Sequence, residues 1–316
     1  GCFIDYNFKI CDMIRPIIIN RAELEALLSL EPYAYDPYSY TRLARDNDKI
    51  IKLYKYDREV DEEMISRDIE SLLAVTKVGL SHERFILPSK IFVFEGRIIG
   101  YEMPYVEGEG LSSALKRTDL ITAKHWFLQI YQDIQMLERL NPSFAFSDLH
   151  EENIIVDAKG NLMYCDLDGW RLVGGRGKSA RYMSMQRELF AQYPQKYRQE
   201  KNTMFYYTDK TTDFLSLLVI VLNYIMGEGC FASLPQPEQV AYLRYLEQQG
   251  MPSDFMNMIK ALYSDVTNYI DEKAIMSIPS DTKHFSYESF YSSTSKFKDR
   301  QAAYDYIFSN FGMYAI

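Results

Sequence analysis

The sequence predicts an α+β chain: a small antiparallel sheet with one main helix in its first third, followed by a larger, mostly helical part. Three observations lead there. Between residues 39 and 103, short runs rich in β-branched and aromatic residues are separated by the turn signals Arg45-Asp-Asn-Asp48 and Gly96. Apolar residues recur at helical spacing over 61–78, 121–140 and 214–226. Between those helical stretches lies a tight hairpin, two apolar runs at 154–156 and 162–165 flanking a Gly-bearing turn.

The elements follow in order. A helix is expected over 21–30, capped by Asn20 with Glu23 at capping-box spacing. Strands are expected at 39–44 and 49–56, then a helix over 61–78 whose face is marked by Met64, Ile65, Ile69, Leu72, Leu73 and Val75. Strands at 90–95 and 97–103 lead into the connector Pro104-Tyr-Val-Glu-Gly-Glu-Gly110. A short helix at 111–115 and a long one at 121–140 carry the chain to the hairpin. Further helices are read at 236–249 and 253–264. The end of the chain reads as loop to Ser295 and then an amphipathic helix near 299–311.

Composition bounds the function classes. The chain has 316 residues, 47% hydrophobic and 25% charged, which suits one large domain or two smaller ones with a substantial core. A net charge of -9 argues against a general nucleic-acid binder. Cys2, Cys11, Cys165 and Cys230 form no C-x-x-C pair, which fits reduced thiols in a cytoplasmic protein and no zinc site. The longest apolar stretch, 214–226, is too short for a membrane span. No signal peptide is visible.

The richest segment is Phe146-Ser-Asp-Leu-His-Glu-Glu-Asn153, followed thirteen residues later by Asp166-Leu-Asp-Gly169. Phosphoryl transfer needs hard oxygen ligands for Mg²⁺ and a carboxylate that orients the nucleophile. Asp148, Asn153 and Asp166 supply those groups, and the hairpin would bring Asn153 and Asp166 to one end. These residues resemble the catalytic loop (H-R-D-x-x-x-x-N) and metal loop (D-F-G) of the protein-kinase-like superfamily. The resemblance covers about residues 33–265 and implies a bilobal fold, with an extension at 1–31, a small lobe at 32–105, a large lobe at 106–278 and a tail at 279–316. It implies that Asp148 aligns the acceptor and that Asn153 and Asp166 hold Mg²⁺. It makes Lys52 the phosphate-binding strand lysine and Glu70 the helix acid that holds it, with Lys55 and Glu63 as competing assignments. Met103 would border the base, with Tyr105 and Val106 presenting backbone groups to it. Asp213 resembles the acid that ties the central buried helix to the catalytic loop.

The chain departs from the family in four places. The stretch 33–40 has no glycine, so the nucleotide phosphates would be covered differently, with Ser39 as the candidate contact. Ser147 stands where regulated kinases carry Arg. His150 stands where Ser/Thr kinases carry Lys, and either donates to a phosphate or makes a structural bond within the loop. Asp168 either reaches a second Mg²⁺ or shapes the turn before Gly169. The D-L-H spelling and D-x-D pair are similar to small-molecule kinases of the aminoglycoside and choline type. The leading expectation is an atypical protein Ser/Thr kinase using ATP and Mg²⁺. Its alternatives are a small-molecule kinase and a nucleotide-binding pseudokinase module.

Overall fold

A computed structural model describes residues 14–34, 39–56, 59–77, 79–80, 83–140, 144–167, 210–259 and 270–294, with residues 302 and 305 and the short strands at 171–172, 176–177, 197–200 and 203–207. The chain divides into two compact units, residues 1–109 with 154–170, and residues 110–153 with 171–316. The fold is α+β: a six-stranded mixed sheet in the first unit and a mostly helical second unit.

The sheet of the first unit comprises β1 (Arg15–Ile18), β2 (Pro32–Ala34), β3 (Thr41–Asp46), β4 (Lys49–Tyr54), β5 (Lys90–Phe94) and β6 (Arg97–Pro104). They lie in the order β1-β5-β6-β4-β3-β2. The sheet is not purely antiparallel as expected, because β1 runs parallel to β5 and extends it at the edge. Within the expected N-terminal extension, Arg15–Ile18 is therefore a strand of the sheet. Helix α1 (Arg21–Ser29) begins at the predicted capping box, with Asn20 accepting from Glu23 N–H and Glu23 accepting from Asn20 N–H.

Period-two alternation sorts β4 between two apolar clusters. Ile51 and Leu53 join Ile19, Phe92 and Ile99, against which Leu24 and Leu27 of α1 pack. Ile50 and Tyr54 join Ile91, Tyr101 and Met103 with Ile65, Ile69 and Leu72 of helix α2 (Glu59–Val75). Lys52, between Ile50 and Tyr54 by alternation, is 6% exposed. Gly100 permits the close pairing of β6 with β4, since a Cβ there would stand 2.1 Å from the Lys52 carbonyl oxygen.

A second small sheet is made by β7 (Gly108–Gly110), β9 (Ile154–Asp157) and β10 (Leu162–Tyr164), in the order β10-β9-β7. The predicted hairpin is present, with Tyr164 opposite Ile154 and Leu162 opposite Val156. It belongs to the first unit. Tyr164 exchanges backbone hydrogen bonds with Arg84 and Ile86, and its ring stacks on Phe85 at 5.4 Å. Met163 and Cys165 pack against the α2-side cluster.

The second unit holds α3 (Leu111–Leu115), α4 (Leu120–Leu140), the two-residue β8 (Phe144–Ala145), which pairs with β11 (Arg171–Leu172), and a further three-stranded sheet of β12 (Arg176–Gly177), β13 (Tyr197–Glu200) and β14 (Thr203–Tyr207). Helix α5 (Lys210–Met226) lies along α4, with Tyr131 on Phe214 and Phe127 on Tyr224. Leu217 through Leu222 of α5 are buried, each worth roughly 1.5–3 kcal/mol of transfer free energy. Then come α6 (Gln236–Gln248), α7 (Ser253–Ile259), α8 (Glu272–Met276) and α9 (Tyr287–Thr294). Lys124 of α4 donates to the carbonyls of Met276 and Ile278, closing the end of α8 onto α4. The stretch expected to be loop up to Ser295 contains α9, whose Phe290 packs on Tyr242 and Tyr245. The expected helix near 299–311 lies almost entirely outside the described residues. Among the described residues, no helix is long and apolar enough to cross a membrane.

Candidate functional site

In the first unit, the Lys52 ammonium meets the Asp166 carboxylate at 2.5 Å across 114 residues of chain. The lysine side chain is 8% exposed and the aspartate 39%. Lys52 also lies 5.9 Å from the centroid of the Tyr101 ring, its cross-strand neighbour on β6. Asp166 is reached two residues after β10 ends and sits at φ +58. That left-handed conformation is uncommon for a residue with a side chain and concentrates at functional turns.

Glu70, expected as the partner of Lys52, is on the exposed face of α2. The helical period explains this: Ile65, Ile69 and Leu72 face the core, and Glu70 falls on the opposite side. The buried acid of α2 is Asp68, 3% exposed, which accepts a 2.5 Å hydrogen bond from the Tyr40 hydroxyl. Reading Asp68 on the same face as Ile65 and Leu72 would have found it. Tyr40 also accepts from Lys55 N–H through its carbonyl, and the Lys55 ammonium donates to the Ser39 carbonyl. The competing lysine thus fastens the segment at 39–40. Ser39 turns its hydroxyl back on Thr41, contacting that residue's hydroxyl and accepting from its N–H.

Met103 is buried in the α2-side cluster opposite Ile50. Tyr105 donates its N–H to the Asp48 carbonyl, and its ring lies 3.7 Å from the Arg45 guanidinium carbon. Val106 is half-buried against the same cluster. Sequence reading missed Glu102, buried on β6 beside Lys49 and Lys90. Burial works to raise its carboxyl, but the Lys90 and Ser89 bonds and the two lysine charges outweigh it and hold it below the usual range.

In the second unit, Asp213 in the first turn of α5 is 1% exposed, and its two oxygens accept from the N–H groups of Phe146 and Ser147, each at 2.9 Å. The Asp148 N–H then closes a γ-turn to the Phe146 carbonyl at 2.7 Å, with Ser147 at φ +66 in its centre. This sharp turn sets Asp148, which is about a quarter exposed while its neighbours Phe146 and Leu149 are buried. Asn153 donates from Nδ2 to the Asp148 carbonyl at 3.0 Å. The planar amide therefore directs Oδ1 away from that carbonyl, as a hard oxygen donor.

His150 is 4% exposed and engaged at both nitrogens. Nδ1 accepts from Glu152 N–H at 3.2 Å, and Nε2 stands 3.5 Å from the Asp148 carboxylate. The contact at Nδ1 is a structural bond within the loop, one of the two roles read for His150. The adjacent Glu151 is buried and accepts from Asn223 Nδ2 at 2.9 Å. Burial pushes its carboxyl above the ordinary range, with the Asn223 bond as a partial offset.

Asp168 and Gly169 lie outside the described residues. Among the described residues, no cluster of three or more His, Cys, Asp or Glu side chains is arranged to hold a metal. A Mg²⁺ site of the expected kind takes only one or two protein oxygens and completes its shell with phosphate and water. The Asp166 carboxylate in the first unit and, separately, the Asn153 amide oxygen in the second are each hard oxygen donors of the type Mg²⁺ takes. No family model matches the chain, and no curated protein matches it with significant similarity.

Proposed function

We propose that this protein is an ATP- and Mg²⁺-dependent phosphotransferase of the bilobal protein-kinase-like type, acting on an alcohol group. The observation that carries the reading is the meeting of Lys52 with Asp166, two residues singled out for the same chemistry from distant parts of the sequence. It is supported by the Asp213 clamp on the turn that carries Asp148. In this reading Asp148 aligns the acceptor hydroxyl and takes up its proton, and His150 is a positioning residue that steadies Asp148. Lys52 draws charge from the phosphates. Asn153 and Asp166 would hold Mg²⁺, which would neutralise charge on the phosphate oxygens. Catalysis of this kind is positioning plus charge neutralisation. Met103, Tyr105 and Val106 border the base, Ser39 the phosphates. The favoured acceptor is a protein Ser/Thr hydroxyl in the cytoplasm.

The test is incubation with labelled ATP and Mg²⁺, wild type against Asp148→Asn, followed by mapping of the label. Labelled Ser or Thr, reduced about 10²–10⁴-fold by Asp148→Asn with nucleotide binding retained, is the expected result. Failure of the wild type to bind nucleotide would end the reading. A second reading, transfer to a small molecule, is favoured by His150, which lies against Asp148 where a protein kinase presents Lys. It predicts a labelled sugar, amino alcohol or antibiotic and no labelled protein.

A further inference from the structure

The second unit contains a cavity of about 480 Å³. Small-molecule sites commonly fall between roughly 300 and 1,000 Å³. None of Lys52, Asp148, Asn153 or Asp166 lines it. Its buried wall is Glu151, at 7% exposure. The carboxylate is held by Asn223 Nδ2, and Asn223 Oδ1 in turn accepts from Phe231 N–H at 2.8 Å. The amide is thus committed at both ends and fixes the acid. The thiol of Cys230 shares this inner wall and is raised above its ordinary value, chiefly by burial.

The mouth is different. Glu152 and Lys116, both exposed, bring opposite charges to it, and Ser112, Thr118 and Thr282 add hydroxyls. Gly227 and Gly229, at φ +78 and +85, keep one side free of side chains. Charge arrangement narrows the occupant. Two carboxylates on one lining, those of Glu151 and Glu152, favour a cationic nitrogen. Lys116 on the same lining opposes a polycation and suits an anionic group on the other end of the ligand.

We propose that this cavity binds a small zwitterion, its ammonium or guanidinium group against Glu151 and Glu152 and its carboxylate or other anionic group toward Lys116. The inference rests on this cavity alone, and its test reads binding and not phosphoryl transfer.

Full-length protein is titrated calorimetrically with a ladder of ω-amino acids (glycine, β-alanine, γ-aminobutyrate, ε-aminocaproate). Butylamine, butyrate, spermidine and a capped Gly-Arg-Gly peptide are titrated alongside. One zwitterion length is expected to bind, with butylamine and butyrate each weaker by about tenfold or more. The bound zwitterion should slow alkylation of Cys230 by iodoacetamide, which places it in the cavity. Lys116→Met, at the exposed mouth, should weaken the zwitterion about twofold to fivefold and leave butylamine unchanged. Glu151→Gln should weaken both. Should that variant fail to fold, Lys116→Met decides alone. Absence of zwitterion binding at millimolar concentration overturns the proposal. So does tighter binding of the peptide or spermidine than of every zwitterion, or indifference of the zwitterion to Lys116→Met.

Discussion

The two units hold two of their buried glutamates in different ways. In the first, Glu102 is answered by the ammonium groups of Lys90 and Lys49, as the more open Asp166 is by Lys52, whereas the buried Asp68 accepts from the Tyr40 hydroxyl. In the second, the acids are answered by uncharged donors: Asp213 by two backbone N–H groups, Glu151 by an amide. Glu102 and Glu151 are about equally hidden, at 6% and 7% exposure, yet their carboxyls move in opposite directions. Burial acts to raise both and leads at Glu151, the more deeply desolvated of the two, whereas at Glu102 the Lys90 and Ser89 bonds and the two lysine charges outweigh it. A charge-paired acid keeps its ionised form and fixes a partner across the sheet. An acid held by neutral donors fixes the backbone or a neighbouring amide.

The sharpest way to break this comparison is Asp213→Ala. It removes two hydrogen bonds to a buried carboxylate and strands two buried N–H groups, for an expected loss of about 3–5 kcal/mol by urea unfolding. Asp213→Asn, with one oxygen left, should recover about half. In the first unit the Lys52–Asp166 pair should be lopsided. Asp166→Ala leaves a buried ammonium without this carboxylate and should cost about 2–3 kcal/mol. Lys52→Met leaves an aspartate that water reaches and should cost only about 1 kcal/mol. Equal losses would mean that burial is shared evenly by the two ends.

The pH dependence sharpens the contrast with smaller effects. The Glu102 carboxyl is lowered in the fold, so its contribution is present above the unfolded value and is lost as pH falls through the folded one. Glu151 is raised, so its burial is harmless at low pH, and stability is lost as pH rises from the unfolded to the folded value. Glu102→Gln should therefore destabilise at neutral pH, by about 1–2 kcal/mol after allowance for two lysines that are more than a third exposed, and less at about pH 4. Glu151→Gln should raise the melting temperature at neutral pH relative to wild type, with the gain gone in acid. Melting curves of both variants across about pH 4–8 give the comparison directly. The smallest effect is at the rim of the fold: Asn20→Ala, in an exposed capping box, should cost about 0.5–2 kcal/mol.

How much of this was legible follows from the kind of signal each feature leaves. The hairpin, the cap at Asn20 and the apolar helices are local and were read to within about four residues at their ends. Lys52, Asp166 and Asp213 were singled out through the family resemblance; the fold brings Lys52 onto Asp166 and sets Asp213 on the Phe146 and Ser147 N–H groups. Glu70 was expected to face Lys52 because a sequence offset outweighed the helical period, which puts Glu70 on the exposed face of α2 and buries Asp68 against Tyr40 instead. The parallel pairing of β1 with β5 left no local trace, since it depends on a strand some seventy residues away. The neighbours of His150 left no trace in the sequence, because Glu152 N–H and the Asp148 carboxylate meet its two nitrogens only once the loop is folded. The cavity beside Glu151 was likewise invisible, being assembled from α3, α5 and the segment at 282.

The stretch after α8 is a keel more than an appendage. Tyr242 and Tyr245 of α6 donate their hydroxyls to the carbonyls of Phe285 and His284, and Phe290 closes over both rings. Burial raises both phenols, Tyr242 the further. Proteolysis ahead of residue 284 would leave that deeply seated hydroxyl with no acceptor and open the helical unit from beneath. A shortened form would then be expected to aggregate before any chemistry could be assayed, so the integrity of this segment sets the minimum length at which the protein can be studied.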